Sequence, residues 1–183
     1  MLRLLQSLGA LALLGAPLSA AQAESVTKVG LPVGDGPDAY GIAVAQAVTV
    51  IAQYSRWPSS PKTIRTCVVS PADHAGRLTD APLVDGRRLE VARLDAEQVS
   101  PQRCEIVYLG RLSMEDQRAL TARLRGEAVL TITESDPACV SRSMFCLLFQ
   151  ADSLSFKLNI DAVSRSQVRV DPRVLRIGLE GTE

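Results

Sequence analysis

The sequence predicts one three-layer α/β domain, a mostly parallel sheet with helices on both faces and a C-terminal hairpin. Three observations carry that prediction. From residue 39 onward short apolar runs alternate with capped helical segments, the pattern of parallel strands joined by crossover helices. Two late strand-like runs are instead separated by only three polar or small residues, the mark of a hairpin. The chain has 183 residues, 46% apolar and 22% charged, enough to bury one core and too few for a second domain of comparable size.

Residues 1–23 read as a signal peptide: Arg3 gives a positive start, Leu4 to Leu14 an apolar run, and Ala21-Gln22-Ala23 a small-x-small cleavage site before Glu24. Gln6 and glycines interrupt the run, which falls short of the roughly 20 apolar residues of a spanning helix. No cysteine follows it, so neither membrane insertion nor a lipid-modified terminus is expected, and export places the protein in the periplasm. Residues 24–38 carry three glycines and two prolines and read as a flexible lead-in. A phosphate-gripping loop would follow a strand and lack prolines that fix the backbone.

The folded domain is expected over residues 39–183. Ala39 to Tyr54 is a helix, with Asp38 as its cap, Ile42, Ala45, Val48, Ile51 and Ala52 on one face, and Pro58 beyond its end. Ile64 to Val69 is a short apolar strand. Ser70-Pro71-Ala72-Asp73 has the look of a helix start, with a serine cap, proline in the first turn and Asp73 reaching back. Leu89, Val91 and Leu94 alternate with charged residues, as on an edge strand with one wet face. Glu105 to Leu109 is a buried central strand. Ser113-Met-Glu-Asp116 opens a helix closed by Gly126. Val129 to Thr133 is the next strand. Phe145 to Gln150 and Leu154 to Asn159 form the hairpin, turning at residues 151–153, and a last helix starts at Asp171-Pro172 and runs through Val174, Leu175 and Ile177. If the first four strands take the flavodoxin-like order 2-1-3-4, the strands at 64–69 and 105–109 are neighbours.

The four cysteines, Cys67, Cys104, Cys139 and Cys146, imply disulfides in an exported chain, with three possible pairings. Neighbouring parallel strands bring Cys67 and Cys104 within the roughly 4.4–6.8 Å between α-carbons that a bridge tolerates. Cys139 and Cys146 meet locally across a turn. The expected pairs are therefore Cys67–Cys104 and Cys139–Cys146, worth about 4 and about 2.5 kcal/mol by loop closure. The longer bridge ties the sheet and reads as structural, the shorter ties a surface loop. A metal site is not expected, with one histidine and no CxxC, and the same absence argues against a thiol oxidoreductase.

No catalytic constellation emerges. His74 lies at the presumed helix start, a poor place for a triad base, without a GxSxG elbow, and reads as solvated. Glu115 and Asp116 suit a helix N-terminus, and Arg123 and Arg125 its other end; Glu134 and Asp136 form no obvious acid–base pair, and Arg87-Arg88 read as solvated. A formal net charge of zero and 4% aromatic residues argue against nucleic acid. No cofactor is implied. For a binding surface the candidates are Tyr54, Arg56 and Trp57, residue types that dominate interface energetics, with Met144 and Phe145 beside Cys146; core packing is the competing reading for Trp57.

Several segments together resemble the YfiR family: Tyr54-Ser-Arg-Trp-Pro58, Thr66-Cys67-Val68-Val69, Arg103-Cys104-Glu105-Ile106-Val107-Tyr108-Leu109-Gly110, Val129-Leu130-Thr131-Ile132, Cys139 through Phe145-Cys146-Leu147, and Phe156 through Asn159 to Ser166. They stand in the family's order over about residues 39–178. The resemblance implies a periplasmic repressor that binds the periplasmic domain of an inner-membrane diguanylate cyclase (YfiN-like), lowers cyclic-di-GMP and biofilm formation, and is sequestered by an outer-membrane lipoprotein (YfiB-like). It also implies both disulfides, a homodimer and redox sensitivity. Two departures stand out. The family usually has a glycine between the third cysteine and the Phe-Cys pair, where this chain has Val140-Ser-Arg-Ser143, and often one after Ser166, where it has Gln167. Left-handed turns at those points would be altered. A rival from another class is a periplasmic small-molecule binding protein using the crevice at the strands' carboxyl ends.

Overall fold

The computed structural model describes residues 30–176; the expected signal peptide, residues 24–29 and Ile177 lie outside them. In chain order the elements are β1 (Gly30–Pro32), α1 (Ala39–Gln53), β2 (Ser55–Arg56), β3 (Thr63–Val69), β4 (Ala81–Pro82), β5 (Arg88–Leu94), β6 (Ile106–Leu109), α2 (Met114–Arg123), β7 (Leu130–Thr133), β8 (Phe145–Phe149), β9 (Ser153–Leu158), α3 (Ile160–Arg165) and β10 (Arg169–Val170), with 3-10 turns at Ala96–Gln98 and Pro172–Arg176. The main sheet runs β1-β9-β8-β7-β6-β3-β5-β4, and β10 pairs with β2 in a small second sheet. Strands β5, β3, β6, β7 and β8 are parallel, and the first four of these stand in the expected 2-1-3-4 order. The hairpin β8–β9 is antiparallel.

Alternation along β3 assigns the two faces. Ile64 and Val68 pack under α1 in the larger core, with Trp57, Tyr108 and Phe145. Cys67 and Val69 point the other way, joining Leu120 of α2 and Leu124 at its end in the smaller one. Two helical layers thus enclose the sheet. Ser113 caps α2, its hydroxyl accepting from the Asp116 amide at 3.1 Å, and Gly126 follows at φ 81°.

Five expectations need correction. Gly30–Pro32, inside the presumed flexible lead-in, adds an edge strand to β9. Asp38 precedes α1 but sits at φ 74° without a side-chain cap; its carboxylate takes the Arg77 guanidinium instead, at 2.7 Å. The buried stripe of α1 includes Val44 and Ala47 with Val48, Ile51 and Ala52, whereas Ile42 is 50% exposed. Ile42 lies on the face of Gln46, Thr49 and Gln53, the helix's polar side, which turns outward. No helix follows Ser70: the Ser70–Pro71 peptide is cis, and the amides of Asp73 and His74 donate to the Glu134 carboxylate at 2.7 and 3.0 Å. The last predicted helix is the 3-10 turn Pro172–Arg176. Conversely, α3 was not foreseen, although Asn159 caps it by accepting from the Ala162 amide at 3.0 Å.

The free side of β5 is guarded. Strand β4 covers Arg88 and Leu89, and beyond it the Val91 amide donates to Asp80 at 2.8 Å, which blunts an otherwise open edge.

Candidate interaction surface

Sulfur chemistry shapes both halves of the molecule. Cys67 on β3 is bonded to Cys104, just before β6, with α-carbons 5.7 Å apart; Cys139 is bonded to Cys146 on β8, at 5.5 Å. The first bridge lies within the smaller core. Beside it, the Glu105 carboxylate accepts from the Arg65 amide at 2.9 Å and from its guanidinium at 2.8 and 2.6 Å. The Glu105 carbonyl accepts from the Trp57 indole at 3.1 Å.

That indole contact places the Tyr54–Trp57 group. Trp57 is only 4% exposed and is a core residue, so it offers no surface. Arg87, expected to be solvated, has a buried role. Its guanidinium donates to the carbonyls of Ser55, Ala52 and Gln53 at 3.0–3.1 Å, pairs with Asp85 at 2.7 Å and lies 5.9 Å from the Trp57 ring centroid. Positive charge on the last carbonyls of α1 is favourable there. The Asp85 carboxyl is held below the usual range chiefly by its hydrogen bond from Arg87. Arg56 is exposed, and Tyr54 is half-buried under the Arg173 guanidinium, 5.4 Å from its ring centroid.

Met144 and Phe145 also lie inside, 5% and 0% exposed. Phe145 meets Phe156 edge-on, and the Met144 amide donates to Thr131 Oγ1 at 3.0 Å. A bridge ending in a central strand draws its neighbours inward with it. Of the five candidate contact residues, Tyr54 and Arg56 reach solvent.

The loop between the second pair of cysteines is over-determined. Asp136 is 1% exposed and accepts from the Ser141 amide at 2.6 Å. Thr121 on α2 donates to the Ser141 carbonyl at 2.7 Å, and Lys157 donates to the Pro137 carbonyl at 2.7 Å. Burial opposes ionisation of Asp136, yet hydrogen bonds from Ser141, Val140 and Cys139 leave its carboxyl below the usual range. Cys139 (φ 62°) and Arg142 (φ 67°) are both left-handed, a conformation costing a non-glycine residue about 1–2 kcal/mol. The left-handed turn thus persists without the family's glycine. Gln167 is not left-handed; its amide side chain donates to the Gly126 carbonyl at 2.8 Å.

The crevice at the carboxyl ends of β3 and β6, where a doubly wound sheet would bind a ligand, is filled by the chain itself. The loop after β3 folds across it: the Gly110 amide donates to the Val69 carbonyl at 3.2 Å and the Arg111 amide to the Pro71 carbonyl at 2.6 Å. A Cβ on Gly110 would lie 2.8 Å from Ala72 Cα and against the Pro71 and Val69 carbonyls. Glu134 anchors this loop and also accepts from Tyr108 Oη at 2.7 Å; burial, with the Glu134 carboxylate alongside, pushes the Tyr108 phenol far above its usual range. His74, expected to be solvated, stacks on Phe149 at 4.4 Å beside Tyr40. Among the described residues no hydrogen bond joins its ring to a serine, threonine or cysteine, no cluster of three or more metal-ligating residues occurs, and no helix is long and apolar enough to cross a membrane.

These features define a disulfide-clamped α/β domain whose sheet crevice is closed and whose reactive side chains hold its own backbone. Residues 43–178 match the YfiR/HmsC-like family, and the chain belongs to it. At the level of the family, that is a group of regulators of diguanylate cyclase signalling rather than of enzymes.

Proposed function

We propose that the protein is a periplasmic repressor that binds the periplasmic domain of an inner-membrane diguanylate cyclase and holds it inactive, lowering cyclic-di-GMP and biofilm formation. Membership of the YfiR/HmsC-like family over residues 43–178 carries this reading. Both disulfides suit an oxidising compartment, as does the signal peptide read at residues 1–23. Repression requires tighter binding to the inactive cyclase than to the active one; a tenfold preference corresponds to about 1.4 kcal/mol. A YfiB-like outer-membrane lipoprotein would relieve repression by competing for the repressor, which acts as a homodimer. Tyr54 and Arg56 supply exposed contacts, while Met144 and Phe145 support the Cys139–Cys146 loop from beneath.

The small-molecule receptor reading loses its usual location, because the loop at Pro71 occupies the crevice. The decisive experiment is gene deletion with cyclic-di-GMP measurement, followed by capture of the purified cyclase periplasmic domain. Raised cyclic-di-GMP and direct capture are expected. An unchanged level with no capture would overturn the proposal.

A further inference from the structure

A small cavity of about 40 Å³ opens between the end of α2, the helix α3 and the loop closed by Cys139–Cys146. Leu124 and Met144 give it an apolar floor, and Arg125, Arg142, Arg165 and Asp161 stand around it. Arg165 is bound to Asp161, its Nε at 2.9 and 3.0 Å from the two carboxylate oxygens. All three cations and Asp161 line this one cavity; the hydrogen bond from Arg165 holds the Asp161 carboxyl below its usual range, and the charges of Arg125 and Arg142 add in the same direction. Among the described residues the guanidiniums of Arg125 and Arg142 make no hydrogen bond or ion pair.

Three cations thus meet one anion over an apolar floor. Arg142, moreover, is held at φ 67°, where glycine would sit without strain, and the bridge keeps it there. Backbone strain of this kind points toward function when the surroundings enforce it. We infer that Arg125 and Arg142 form a binding site for a small organic anion, a carboxylate or phosphate head on a short apolar stem. Guanidinium groups match both heads with paired N–H donors, and the floor takes the stem. The cavity admits an anionic head and a few further atoms, not a nucleotide. This site lies away from the closed crevice and does not depend on the cyclase reading.

The test uses the full-length exported, oxidised protein, titrated with inorganic phosphate and with butyrate while the backbone amides of Gly126, Arg142 and Ala162 are followed by NMR. Saturable shifts are expected with at least one probe, weakening as salt rises. The double variant Arg125→Ala/Arg142→Ala should lose at least tenfold in affinity, and Arg88→Ala, a surface arginine on β5 outside the cavity lining, should lose none. Arg142→Gly, which suits the left-handed backbone, serves as a second variant should the double one misfold, and it too should weaken binding. Absence of saturation with both probes, or unchanged affinity in the variants, overturns the site.

Discussion

The two disulfides differ in what they would release if cut. Cys67–Cys104 spans 37 residues and joins neighbouring strands inside a core. Cys139–Cys146 spans seven and closes a loop in which Cys139 and Arg142 are left-handed. The first bridge restrains the unfolded chain over the segment that carries β4 and β5; the second restrains the native shape of one loop. A long loop makes a bridge a stability device, and a short strained one makes it a shaping device.

The largest expected effect tests that contrast. Cys67→Ser with Cys104→Ser should cost about 4 kcal/mol by loop closure, read as a shifted urea midpoint; a cost no greater than that of opening the second bridge would erase the distinction. Cys139→Ser with Cys146→Ser should cost about 2.5 kcal/mol or less. It should leave an exported, folded protein with raised amide exchange over residues 137–145 and weakened repression. Unchanged repression would remove the loop from the partner-binding surface.

Glu134→Gln probes a staple made without sulfur. Weakening bonds to two amides and a buried phenol should cost about 2 kcal/mol, with exchange rising at residues 72–75 rather than in the bridged loop. Arg142→Gly should stabilise the protein by about 1 kcal/mol by relieving left-handed strain, and the gain should shrink when the Cys139–Cys146 bridge is absent, because the loop can then relax. A thermodynamic cycle over the four proteins measures that coupling.

The smallest effect is one of pH. Because folding depresses the Asp136 carboxyl, its contribution is present above the ordinary aspartate value near 3.9 and is lost as pH falls through the lower folded value. Urea midpoints at pH 6 and pH 3 should differ less in Asp136→Asn than in the parent.

Strand order and the neighbouring of Cys67 and Cys104 were legible because apolar runs, caps and crossover handedness leave few arrangements. The orientation of α1 is marked by Gln46, Thr49 and Gln53, three- and four-residue steps along one face; counting apolar residues alone places Ile42 inward, although it shares that polar face. Ser70-Pro71-Ala72-Asp73 reads locally as a cap, but its amides are claimed by Glu134, sixty residues away, and nothing near Ser70 announces that competitor. By residue type Met144 and Phe145 are surface candidates and Trp57 is one with core packing as its alternative; the burial of all three follows from the indole bond to Glu105 and from β8 lying inside the sheet. Arg87 shows the converse, an arginine beside a turn whose carbonyl partners on α1 are visible only in three dimensions.

Position 110 sets a limit on what can be built on this scaffold. Any side chain there collides with main chain, which cannot swing aside as a flexible side chain would. Engineering a cofactor port into the sheet would therefore require excising the segment from Ser70 to His74 and finding new donors for Glu134, so a gain of function at that end begins with a deletion.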